Sequence, residues 1–69
     1  MIEKQCAIEI QEHALKAVAE LSLLLNLSRN RCSPEKYEQI KQGVGFSIGR
    51  IQMGILQIVI AEYPELDDL

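Results

Sequence analysis

The chain predicts an all-α fold: an antiparallel two-helix hairpin, about residues 2–29 and 34–62, pairing with a second copy into a homodimeric four-helix bundle. Three observations lead there. Apolar residues recur at three- and four-residue spacing through both halves of the chain. A single strong punctuation signal, Ser33-Pro34-Glu35, divides the halves. The second half carries two apolar stripes, and one partner helix covers only one of them.

The first helix is expected from Ile2 to about Leu27–Arg29, a stretch with no Pro or Gly and rich in Ala, Leu, Glu, Gln and Lys. Its main stripe is Ala7, Ile10, Ala14, Ala17, Val18, Leu21, Leu24 and Leu25, widened on one flank by Ile8, Leu15, Ala19 and Leu23. From Val18 to Leu27 only Glu20, Ser22 and Asn26 are polar, the pattern of a helix that meets more than one neighbour. The polar run from Asn26 to Ser33 is a turn. Arg29 and Arg31 there suit the negative end of the first helix dipole.

Ser33 is the expected N-cap of the second helix, with Pro34 at its first position and Glu35 in its first turn. Pro64 biases Tyr63 away from helical geometry and ends the helix near Glu62. Residues 1–62 therefore form one domain, and 63–69 a short acidic tail. The stripe facing the first helix is Tyr37, Ile40, Val44, Ile48, Ile51, Ile55 and Ile58. The second stripe, the expected dimer interface, is Gly45, Phe46, Gly49, Met53, Leu56 and Ile60.

Four glycines between Gly43 and Gly54 cost roughly 0.5–1 kcal/mol each in a helix interior. Gly45 and Gly49 stand one turn apart, an arrangement that lets two backbones approach closely. Gly43, Ser47, Arg50, Gly54, Gln57 and Ala61 form a further row of small and polar residues. The alternative is a break near Gly43–Gly45, giving three helices.

Size and composition also favour association. A lone core in a chain of 69 residues rarely supplies more than roughly 3–5 kcal/mol. Two cysteines and one histidine, with no CxxC or HxxxH spacing, do not make a structural zinc site. Cys6 and Cys32 lie at opposite ends of the first helix, roughly 39 Å apart at the helical rise, far beyond disulfide reach. Both are expected as free thiols.

The function classes narrow by exclusion. A net charge of −3 and a pI near 5.0 speak against nucleic acid. Val44 to Ala61 is long enough to be weighed as a membrane span, but Arg50, Gln52 and Gln57 interrupt it. The N-terminal residues carry no apolar run behind a basic start, so a cytoplasmic location is expected. Gly43-Val-Gly-Phe-Ser-Ile-Gly49 follows no strand and is not a phosphate loop. Glu9, Glu12 and His13 do not complete the ExxH pattern of di-iron bundles.

No catalytic residue, cofactor or metal is expected. The leading expectation is a non-catalytic protein–protein interaction module. It dimerises through its second helix and presents an acidic rim to a protein partner, as an adaptor, a regulator or a neutraliser of a basic toxin. The alternative is a ligand- or metal-binding bundle with a polar site at Glu12, His13, Arg50 and Gln57. A simple hairpin register opposes Arg50 to Glu9, Glu12 and His13.

Overall fold

The computed structural model describes residues 1–68 as a helical hairpin with no strand among them. α1 spans Lys4–Ser28 and α2 spans Pro34–Ile51; a π-helical segment follows over Gln52–Leu56, then α3 over Gln57–Glu62 and a 3-10 turn over Pro64–Asp68. α2, the π segment and α3 form one unbroken rod. The molecule measures 45 × 17 × 16 Å, the shape of two helices side by side.

The turn is built as its residues dictate. Ser33 Oγ accepts from the Lys36 amide at 3.2 Å, Pro34 occupies the first helical position, and Glu35 lies in the first turn. Arg29 takes the C-cap position of α1, the end where a cation opposes the dipole. Cys32 donates its thiol to the Ser28 carbonyl, and both cysteines are free.

The helices meet through small side chains. Ala7, Ala14, Val44 and Val59 are buried, so the two rods approach closely and the core between them is thin. Val18, Leu21 and Leu25 continue the contact as half-buried residues, whereas Ala17 and Leu24 of the expected stripe stay exposed.

The second helix differs from its expected face after Ile51. Tyr37, Val44, Ile48 and Ile51 turn inward at the expected spacing, but the next inward residues are Leu56, Val59, Ile60 and Tyr63. The step from Ile51 to Leu56 is five residues. The π segment inserts this extra residue: the Gln57 amide donates to the Gln52 carbonyl, five positions back. One residue is about 100° of helix. Ile55 and Ile58 are consequently rotated outward, with Ile58 58% exposed, while Leu56 and Ile60 of the expected dimer stripe are partly covered inside the hairpin. The helix runs straight through Gly43–Gly49, and its irregularity falls around Gly54.

The segment after the second helix is acidic and also folded. Leu66 is buried with Ala7 and Val59, and Ile2, Ile8, Ile10 and Tyr63 pack around them. Gln11, a buried polar residue, donates its Nε2 to the Leu66 carbonyl at 2.9 Å. Tyr63 donates its hydroxyl to the Ile2 carbonyl at 2.6 Å, and the Ile2 amide donates to the Glu62 carboxylate at 2.8 Å. Lys4 pairs with Glu65 at 3.1 Å. These contacts form a clasp joining the two ends of the described chain.

Candidate interaction surface

On the outer side of α2, Gly45, Phe46, Gly49 and Met53 lie along one line, bordered by Gln42 and Arg50, and form a shallow groove. Phe46 is 77% exposed and Met53 73%, the two largest exposures of big apolar side chains among the described residues beyond the first. Each is a ridge beside a glycine. A Cβ built on Gly43, Gly45, Gly49 or Gly54 meets nothing within 4 Å, and no glycine has positive φ. Neither packing inside the chain nor backbone geometry therefore calls for glycine at these positions. A close approach from outside would.

The flank of the hairpin holds a second apolar groove. Ile10, Ala14 and Ala17 of α1 face Ile51 and Ile55, with Cys6, Glu9 and His13 along its edge. Ile55 lines this groove at the edge of the contact with α1, where it is 42% exposed. Near the turn, Leu23, Leu24 and Leu27 form an exposed apolar patch on α1.

The residues of the expected polar site line different surfaces. His13 edges the flank groove, Arg50 borders the glycine groove, and Glu12 and Gln57 are exposed elsewhere on their helices. Among the described residues the ion pairs are the Met1 amino group with Glu62 and Lys4 with Glu65, so Arg50 takes part in none. No group of three His, Cys, Asp or Glu side chains among the described residues converges as a metal site would require.

Among the described residues Glu65 is the carboxylate held away from its ordinary value. A hydrogen bond from its own backbone amide, reinforced by the Lys4 ammonium, holds it below the usual carboxylate value. It belongs to the clasp and not to either groove.

The clasp lay outside the sequence reading, as did the buried Gln11. A readable sign was Leu66, a lone apolar residue after Pro64 in an acidic run, a position that invites docking back onto the hairpin. The rod Pro34–Glu62 is long and apolar enough to cross a membrane by length and composition. Comparison with family models, with curated proteins and with solved structures returns no match.

Proposed function

We propose that this chain is a non-catalytic interaction module whose working unit is two hairpins paired in a four-helix arrangement. The seam is the line Gly45, Phe46, Gly49 and Met53, and the paired unit presents exposed acids to a basic protein partner.

Surface area is the observation that carries this reading. The chain exposes 5272 Å², whereas a compact monomer of 7.8 kDa exposes about 4,400 Å². The difference, about 900 Å², is close to the roughly 800 Å² that each partner buries in a standard interface. The glycine line supports placing the seam there, because it joins the most exposed apolar side chains to a backbone that a neighbour can approach. Glu9, Glu12 and Glu20 on α1 lie exposed away from that line and give the acidic rim its charge.

Light scattering over a dilution series tests the pairing. A mass of two chains that persists at low concentration is expected, and a single-chain mass throughout would sink the reading. Gly49→Leu tests the seam, since the position has room within the chain. It should weaken pairing by tenfold or more while exposed Gln39→Leu leaves it unchanged. Equal effects would move the seam elsewhere. Replacing Glu9, Glu12 and Glu20 together by Gln should abolish salt-sensitive binding of a lysine-rich peptide and leave the paired mass intact.

The length and apolarity of Pro34–Glu62 favour one second reading, a membrane-associated helix. Arg50, Gln52 and Gln57 weigh against it. Recovery of all the protein in a detergent-free supernatant would dispose of that reading.

A further inference from the structure

The π segment separates two registers that the sequence supports almost equally. Between Ile55 and Ile60 every residue except Gln57 is apolar. In the bulged helix Leu56, Val59 and Ile60 are the covered residues, Ile55 lies at the exposed flank of the α1 contact and Ile58 faces out. In a straight α-helix the stripe Val44, Ile48, Ile51 would continue through Ile55 and Ile58 at four- and three-residue steps. The line Gly49, Met53 would continue through Leu56 and Ile60. Either register places apolar side chains against α1, so hydrophobic burial discriminates weakly between them.

What discriminates is the clasp. Leu66 reaches Ala7 and Val59, and Tyr63 reaches the Ile2 carbonyl, with α3 in its bulged register. Rotating α3 by the roughly 100° of one residue would carry Val59 and Tyr63 off these partners. Gly54 lies inside the π segment, where a residue without a side chain makes a change of backbone geometry easiest.

We propose that Gln52–Leu56 is a register switch coupled to pairing. When a second copy covers the glycine line, the helix straightens, Leu56 and Ile60 turn out to extend the seam, Ile55 and Ile58 turn in, and the clasp opens. This rests on the pairing reading above. The coupling is reciprocal: whatever strengthens the clasp weakens pairing, and pairing loosens the clasp.

Two variants and one label-free measurement test the switch. Tyr63→Phe removes the hydrogen bond to Ile2 and keeps the ring, so it should tighten self-association about 2- to 10-fold. Deleting Gly54 removes the extra residue and locks Leu56 and Val59 inward in a straight helix. Gln57 and Ala61 then fall on the seam in place of Leu56 and Ile60, and pairing should weaken at least tenfold. Amide exchange at Tyr63 and Leu66, whose N–H groups donate to Val59 and Tyr63 carbonyls, should speed up on pairing. Tyr63→Phe and the exchange measurement keep the test decisive if the deletion disturbs folding. A paired mass with unchanged exchange and unchanged affinity in Tyr63→Phe would overturn the switch and leave the pairing standing. A wild-type chain that stays single at every concentration would remove the pairing itself, and the switch with it.

Discussion

The two ends of the hairpin are held by different means. At the turn the chain is ordered by local rules: a serine cap, a proline at the first helical position, and hydrogen bonds spanning three or four residues. Burial there is poor, with Leu23 55% and Leu27 58% exposed. At the open end the order is non-local. Hydrogen bonds join residues 55 to 61 positions apart, and Ala7, Val59 and Leu66 form the buried core. The difference teaches that this hairpin's stability resides where its helices end, while its turn supplies connection and register.

The largest test of that contrast pairs one leucine from each end. Leu66→Ala should cost about 2–5 kcal/mol, enough to unfold a chain whose whole core rarely supplies more than about 3–5. Leu27→Ala should change stability by no more than about 0.5 kcal/mol. Urea unfolding followed by circular dichroism at low protein concentration separates them, and similar losses would erase the contrast. Next in size is Gln11→Leu, which leaves the Leu66 carbonyl without its donor and should cost about 1–3 kcal/mol in the same assay. Ser33→Ala should cost about 1 kcal/mol. Its effect should concentrate in faster amide exchange of the first turn of α2, with the clasp amides little changed.

The smallest effect belongs to Glu65. Its carboxyl titrates below the usual value, so its contribution to folding is complete above about pH 4.5 and fades as the pH falls through the lowered value. Glu65 is exposed, so the effect is slight. Glu65→Gln should flatten the acid limb of a melting-temperature profile. A profile identical to that of the wild type would show that the Lys4 pair adds nothing to the clasp.

These tests also mark what was legible in the sequence. The turn was fully legible, because Ser33, Pro34 and Glu35 act within one helical turn and need no knowledge of the rest. The inward face as far as Ile51 followed from spacing except at Ile40, which is exposed at the edge of the stripe. The face beyond it did not, because periodicity presumes a constant number of residues per turn. With both Ile55 and Leu56 available, periodicity alone did not choose between them, and the observed register is the one in which Tyr63 and Leu66 pack against the N-terminal residues. Gln11 was illegible for a related reason: its partner is a backbone carbonyl 55 residues away. Phe46 and Met53 of the proposed seam read as unpartnered in the sequence and are exposed in the single chain. Arg50 and His13, brought together by a simple hairpin register, lie along different grooves.

The span of the clasp also orders events in time. The turn can form as soon as its few residues meet, and each helix propagates in nanoseconds per residue. Tyr63 can find Ile2 only after the chain between them has folded into two rods, since closing so long a loop from the unfolded state is entropically costly. Folding should then proceed as a zipper from the turn, with the contact of Leu66 with Ala7 closing last. A contact that closes last without being part of the nucleus influences mainly the rate of unfolding, so changes at Tyr63 and Leu66 should alter how long each molecule stays shut more than how quickly it forms.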